Sequence, residues 1–556
     1  MLKNKKYLII DDFETAIAIM RTMLNSANVT NDDIDSTTDS MKAIRLLANH
    51  KYDVVLCDYN MRHHIDGGLI FDEVKQRKLI PSDAVFICVT GDNSEAVVTH
   101  FIELELDDYL LKPFRFSEFI GRIERVVIRK TELSGLLQSV ENKDYQSGLD
   151  FCAIYRGLYP NYSGYINRIN GDCLLRLKRH NDARIFYEQA CKNTELAWPQ
   201  IGLGQALQGL GELDKAESIF QKILTKHPKQ PLARRSLAHC MMMRNETPQA
   251  LAQFNILHKV NPANPLRELI IANLYAVLQE HEKAAYGYQR FIAKVTGTSR
   301  YSSGITVNIS ISLLLASLYT YDNKEHADLV NEARHNIYEL NSDMEKAAVE
   351  PDTELSILTG FGILACLEGD IKNCFIVASK IETDSREVTD FYTVLNMARL
   401  YGFCGMPDLY EKAMLQARKL CGQTDDDVLM LSLVKLLDSC QKQIKQRLKN
   451  GKKLTATALV HRQNNRANQA AEDAYKAFTM VPFHFQPCLL ILELTALSTP
   501  AMLSPAETRD ILESCYWVYC NDKRPSYDEK KRAKELFDMA IVRVGKVVHK
   551  KMVSTA

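Results

Sequence analysis

Between residues 203 and 288 one arrangement of side chains returns every 34 residues. Leu203-Gly204, Leu237-Ala238 and Ile271-Ala272 recur at that interval, followed by Leu207, Met241 and Tyr275, then Ala216, Ala250 and Ala284, then Phe220, Phe254 and Tyr288. Pro228 and Pro262 close two of the copies. A period of this length marks stacked helical units. Each copy sets small residues where two antiparallel helices touch, an aromatic ring in the groove, and a proline where the second helix ends. One helix pair cannot bury its own apolar face, so copies must stack into a superhelix.

Weaker copies flank the clear ones. One ends at Tyr159-Pro160, another carries Gly171, Ala183, Tyr187 and Ala190, a later one Gly362, Gly369-Asp370 and Ala378, and another Ala470, Ala474, Ala477 and Pro482. Between about 300 and 350, and near 421–455, the period is lost while the apolar pattern still suits helices. The expectation is an all-α solenoid over residues 129–548, clearest at 164–295, with a short tail at 549–556. From Ile123 to Asn142 the only Gly or Pro is Gly135, so no flexible linker precedes the array.

Residues 1–128 read differently. Apolar runs predict strands at 6–10, 33–37, 53–57, 84–89 and 108–111, with helical patterns between them at 14–25, 40–50, 69–78, 94–105 and 116–129. Five βα units in that length predict an α/β doubly wound, flavodoxin-like domain. The run Tyr7-Leu8-Ile9-Ile10 stops at Asp11-Asp12, and Val54-Val55-Leu56-Cys57 stops at Asp58. Parallel pairing of these strands would gather three carboxylates at the sheet edge where such folds place their chemistry. Acids that close repel unless a cation sits among them, and Mg²⁺ is the hard ion that oxygen ligands suit.

The order Asp11-Asp12, Asp58, Thr90-Gly91 and Lys112-Pro113 resembles the receiver domain of two-component response regulators, and the likeness covers the first 128 residues. The 34-residue repeats resemble tetratricopeptide arrays. The receiver resemblance implies that Asp58 accepts a phosphoryl group from a histidine kinase or phosphotransfer protein. It implies that Asp12 and Asp58 hold Mg²⁺ directly, with the Asn60 backbone carbonyl as a third ligand and Asp11 acting through water. Lys112 would neutralise charge on the transferring oxygens. Thr90 would donate its hydroxyl to the new phosphoryl group, Gly91 would leave room for it, and the Tyr109 ring would turn inward as the switch.

One stretch departs from the receiver pattern. After Asn60 the chain reads Met61-Arg62-His63-His64-Ile65-Asp66-Gly67-Gly68, where many receivers have Met-Pro and one residue fewer before Asp-Gly. Without proline this loop should be less rigid. His63 and His64 suggest a metal or phosphodonor role, but adjacent histidines on an exposed loop more often serve neither.

Bulk properties narrow the class further. The chain has 69 Lys+Arg and 69 Asp+Glu, so no global field draws it to nucleic acid or an anionic membrane. No apolar stretch approaches the ~20 residues that span a bilayer, and the opening residues read as a strand rather than a secretory signal. Fourteen scattered cysteines without a Cys-x-x-Cys pair fit reduced, core-packed thiols in a cytoplasmic protein. The solenoid shows no phosphate-cradling loop, no metal motif and no helix-turn-helix, so the chain is expected to be a phosphoacceptor rather than an enzyme, with at most slow self-dephosphorylation.

Output is therefore expected through a protein target of the repeats, with a homodimer as a further option. Two alternatives stand beside this. One is a constitutive adaptor whose receiver is a docking module. The other is a phosphorylation-gated RNA-binding regulator using the basic stretch at 441–466, where Lys442, Lys445, Arg447, Lys449, Lys452, Lys453, Arg462 and Arg466 cluster. That stretch lacks the interleaved aromatics that stack bases. Tyr516, Trp517 and Tyr519 are expected to pack the last helices rather than hold a ligand.

Overall fold

The computed structural model describes residues 2–61, 65–344, 351–498, 503–521 and 525–554. By its internal contacts the chain divides into two compact units, Met1–Ile271 with Arg290–Tyr301, and Ala272–Gln289 with Ser302–Ala556.

The first unit opens with a five-stranded parallel sheet of β1 (Tyr7–Ile10), β2 (Ile34–Thr37), β3 (Val54–Asp58), β4 (Val85–Thr90) and β5 (Asp108–Leu111), in the order β2-β1-β3-β4-β5. Every pairing is parallel. Each connection therefore carries a crossover helix: α1 (Glu14–Ser26), α2 (Ser40–Asn49), α3 (Gly67–Arg77) and α4 (Glu95–Leu104), with α5 (Phe116–Glu132) closing the domain. Helices on both faces explain why β1, β3 and β4 are buried at every position and apolar up to the polar residues that end β3 and β4, Asp58 and Thr90. Two cores result. Leu8, Ile10, Val55, Cys57, Phe86 and Cys88 face α2, α3 and α4, while Ile9, Val54, Leu56, Ile87 and Val89 face α1 and α5.

Three of the five receiver helices, α2, α3 and α4, start at side-chain caps. Asp39, Asp66 and Ser94 accept from the backbone N–H of Lys42, Leu69 and Val97. The Asp66 cap is why α3 begins at Gly67, earlier than the apolar pattern alone places it. β1 and β2 start one residue later than expected, β3 and β4 shift by one residue so that β4 reaches Thr90, and β5 falls where it was expected.

Only Leu133, fully buried, separates α5 from α6 (Ser134–Glu141), so the sheet domain passes into the helical array without a flexible linker. Helix pairs follow: α7 (Tyr145–Leu158) with α8 (Ser163–Arg176), α9 (His180–Asn193) with α10 (Ala197–Gly209), then α11 (Leu213–Lys226), α12 (Pro231–Met243), α13 (Thr247–Val260), α14 (Pro265–Val277) and α15 (His281–Val295). The repeating small residues have the packing role that the period assigns them. A Cβ on Gly204 would stand 2.5 Å from the Phe220 ring, and one on Gly202 would stand 2.2 Å from Tyr187. Ala216, Ala250, Phe220 and Phe254 are buried.

The second unit is helical from Ser303 to Ser554 among its described residues, and regular helix continues past residue 548. Its aromatic residues pack helices together: Trp517 meets Phe375 at 5.0 Å, Tyr516 meets Phe537 at 4.6 Å and Tyr519 meets Phe485 at 6.0 Å between centroids. All fourteen cysteines are free thiols, and all but Cys191 and Cys520 are buried. No described helix is long and apolar enough to cross a membrane.

Candidate functional site

The carboxyl ends of β1, β3, β4 and β5 meet at one edge because the sheet order places β1 and β4 on either side of β3. Asp58, the last residue of β3, is buried there beside Asp11, which follows β1 and is fully buried. Lys112 follows β5, and its Nζ donates to Asp58 Oδ1 at 2.6 Å and to Asp11 Oδ2 at 2.7 Å. The Lys112 backbone N–H donates to the Thr90 carbonyl at 2.7 Å, so the end of β4 sets where the ammonium arrives. The Lys112-Pro113 peptide bond is cis.

Two carboxylates that share one ammonium in a buried pocket hold opposing demands. Burial drives the Asp58 carboxyl above its ordinary pKa; Lys112 pulls it back, and the charges of Asp11 and Asp12 push the same way as burial. Lys112 loses stabilisation of its charged form to burial, yet its hydrogen bonds to Asp11 and Asp58 raise its pKa overall. The site therefore concentrates negative charge at Asp58 and answers it with one fixed cation.

Thr90 is fully buried, and its hydroxyl accepts from the Asp92 backbone N–H at 3.0 Å. A Cβ on Gly91 would meet nothing within 4 Å, so the space over this edge is open. Asn60 is exposed just past Tyr59, and the Tyr59 N–H donates to the Val89 carbonyl. Arg62, His63 and His64 lie outside the described residues; Met61 and Ile65 on either side of them are buried.

The half-buried Tyr109 ring packs against Phe101 of α4 at 5.1 Å between centroids, and Phe101 in turn meets Tyr59 edge-on at 5.1 Å. Sequence reasoning missed the next link. The Tyr59 hydroxyl lies 2.7 Å from Nδ1 of His100, a buried α4 residue. Burial first, then the nearby charge of Arg267, holds the His100 pKa down to about 4. The neighbour of Asp58 in the chain is thus tied directly to α4. No motif signals such a pair, because its partners are 41 residues apart and meet only through the βα crossover.

The donor set suits a hard cation, being the buried carboxylate oxygens of Asp11 and Asp58. Among the described residues, however, no three His, Cys, Asp or Glu side chains stand in an arrangement ready to ligate a metal. The ammonium of Lys112 is what bridges Asp11 and Asp58 in this structure.

Residues 7–124 match the family model of the response regulator receiver domain, and residues 207–278 match that of a tetratricopeptide repeat. Over 143 residues the chain is 24% identical to the alkaline phosphatase synthesis transcriptional regulatory protein PhoP of Bacillus subtilis, covering 26% of this chain and 56% of that protein. Over 122 residues it is 31% identical to the response regulator SaeR of Staphylococcus aureus, covering 22% and 50%. The chain spans about half the length of the curated relatives it matches.

Solved structures similar to it include a CheY-like receiver domain protein of Methanospirillum hungatei JF-1, at 16% identity over 23% of this chain and 97% of that one, with a TM-score of 0.21. Another is the receiver domain of the Francisella response regulator 1452, at 24% identity over 23% and 98%, also with a TM-score of 0.21. The chain carries an N-terminal receiver domain followed by tetratricopeptide repeats. Its receiver relatives support a place in two-component phosphorelay signalling.

Proposed function

We propose that this chain is a response regulator that takes a phosphoryl group onto Asp58 and reports that state to a protein partner through its repeats. The observation that carries the reading is the Lys112 ammonium held 2.6 Å from Asp58 and 2.7 Å from Asp11 at the carboxyl edge of a parallel sheet, beside buried Thr90.

The donor is a phosphohistidine on a histidine kinase or phosphotransfer protein. The phosphorus–nitrogen bond breaks as an Asp58 carboxylate oxygen bonds to phosphorus, and the donor imidazole nitrogen recovers its electron pair. Charge then accumulates on three phosphoryl oxygens. Lys112 meets that charge from one side, already aligned by its backbone hydrogen bond to Thr90. The Thr90 hydroxyl, which accepts from Asp92 N–H, keeps its own proton to donate. Asp12, Asp58 and the Asn60 carbonyl would hold Mg²⁺, with Asp11 acting through water; when bound, the ion neutralises part of the phosphoryl charge.

On this reading the chain is a phosphoacceptor and not an enzyme beyond slow loss of its own phosphate, and it works in the cytoplasm. Arg447 donates from Nε to the Met480 carbonyl at 2.7 Å and lies over the Phe403 ring, while Arg462 pairs with Glu493. Two of the cations at 441–466 thus have structural work, which favours a protein partner over RNA.

The test is intact-mass measurement of the full chain after incubation with Mg²⁺ and a small-molecule phosphodonor, with Asp58→Ala alongside. The wild type should gain one phosphoryl group and the variant none. Equal gain by both would exclude Asp58 as the acceptor.

A further inference from the structure

Receiver and repeats touch within the first unit through charged groups that are too well buried to be casual surface pairs. Glu103, on the last turn of α4, has a side chain only 10% exposed and pairs with Arg267 near the start of α14, itself 5% exposed. The Glu103 carboxylate also accepts from the side-chain amides of Asn261, at 2.9 Å, and Asn264, at 3.3 Å. Arg267 Nη1 donates to the carbonyls of Leu257, at 2.8 Å, and Asn261. The pair is therefore largely desolvated and braced by four further hydrogen bonds, which sets it apart from an exposed ion pair.

A second set of contacts grips α3. The Arg300 guanidinium reaches both oxygens of Asp72, with Nη2 at 2.8 Å from Oδ1. Next to it, Glu73 accepts from the Ser299 backbone N–H at 2.9 Å and from its hydroxyl at 2.8 Å. Gly297, with φ of +84°, brings the same segment within 3.4 Å of Met41 on the receiver, measured from the position a Cβ would take. More exposed pairs, Lys229 with Glu95 and Arg168 with Glu105, lie at the margin and add little.

Both gripped helices bear on the phosphoacceptor. The Gly67 N–H at the start of α3 donates to the Tyr59 carbonyl, and a Cβ at Gly67 would stand 2.3 Å from the Asp58 carbonyl oxygen, so α3 is pressed against the end of β3. Helix α4 is tied to the same strand end by the Tyr59–His100 hydrogen bond. Both helices that the repeats hold thus contact the strand end that carries Asp58.

We propose that Glu103–Arg267 and Asp72–Arg300 form an intramolecular latch by which the repeats hold α3 and α4 in the register of unmodified Asp58, so that latch closure and phosphorylation oppose each other. The proposal rests on Asp58 being the acceptor. By linkage, an open latch favours the phosphorylated state at equilibrium by the factor through which phosphorylation opens the latch, and the rate of uptake rises with the population of the open, competent form.

The test uses the full chain as Arg267→Gln, Arg300→Asp, Asp72→Arg and the exchanged pair Asp72→Arg/Arg300→Asp. Two quantities are read: hydrogen exchange of α3 and α4 without any phosphodonor, and initial phosphoryl uptake from a small-molecule donor with Mg²⁺. The single variants should exchange faster and take up phosphate at least about fivefold faster, the lower end of ordinary coupling energies. The exchanged pair should return both readings towards wild type, which loss of fold would not. Unchanged or slower uptake in single variants whose exchange has risen overturns the latch. If no form, wild type included, takes up phosphate, the phosphoacceptor reading fails first and the coupling falls with it.

Discussion

Lys112 Nζ lies 2.6 Å from Asp58 and 2.7 Å from Asp11, so one ammonium holds together two carboxylates that are both almost wholly buried. Removing it should expose how much the pocket depends on that charge. Lys112→Met leaves two buried acids without their cation and should cost about 2–3 kcal/mol at neutral pH, below the usual figure for a broken buried pair because Lys112 is partly exposed. The deficit should shrink on acidification, because the folded-state pKa of Asp58 is raised and a proton can replace the lost cation. Denaturant melts at neutral and mildly acidic pH measure both effects.

His100 should impose a pH dependence of its own. Its folded pKa is depressed from 6.5 to about 4 by burial and by Arg267 and Lys294, against a smaller opposite pull from Asp72. As pH falls below 6.5 the unfolded chain binds a proton that the folded site refuses, so stability declines until about pH 4. The loss from this residue amounts to about 3 kcal/mol across the window. His100→Gln keeps a hydrogen-bonding group near Tyr59 and should flatten the decline, as the difference between wild-type and variant melts would show. An identical pH slope in both would mean that His100 is not the group responsible.

The repeat contacts make a sharper packing claim. Gly204→Ala drives a Cβ to 2.5 Å from the Phe220 ring, and Gly202→Ala drives one to 2.2 Å from Tyr187. Each should destabilise by about 1–3 kcal/mol despite the better helix propensity of alanine. Gly121, inside α5, is the control, since a Cβ there meets nothing within 4 Å. Gly121→Ala should stabilise by roughly 0.5–1 kcal/mol. Thermal denaturation of the three variants decides the matter by the sign of the change.

What could be read from the sequence, and what could not, follows from the range of the interactions. Apolar runs ended by Asp11-Asp12 and Asp58 are local patterns, and so is a 34-residue period, which is why the sheet edge and the repeat packing at Ala216, Phe220, Ala250 and Phe254 were legible. Asp66 as a helix cap is also local, but Gly67-Gly68 hid it, because glycines rarely open a helix. The Tyr59–His100 bond and the Glu103–Arg267 pair are different in kind. Their partners are 41 and 164 residues apart, and nothing in the spacing of a histidine or an arginine says which distant side chain it will meet.

The basic stretch offers a further discrimination. If the exposed cations Lys442, Lys445, Lys449, Lys452 and Lys453 serve a solvated helix face or an acidic protein, the chain should bind single-stranded RNA weakly and without sequence preference. Affinity that falls steeply with salt, and falls further when Lys445, Lys449 and Lys452 are changed to Glu, would instead establish the RNA-binding alternative. Fluorescence anisotropy across a salt series reads both.

The most direct measurement is hydrogen exchange over α12, α13 and α14 of the full chain, compared between unmodified and stoichiometrically phosphorylated protein, with Asp58→Ala treated in parallel. If phosphorylation of Asp58 controls the repeats, protection in those helices falls in the wild type on phosphorylation and stays constant in the variant. A wild type that is fully phosphorylated yet shows identical protection throughout the repeats would contradict control by Asp58 and leave a constitutive adaptor in its place.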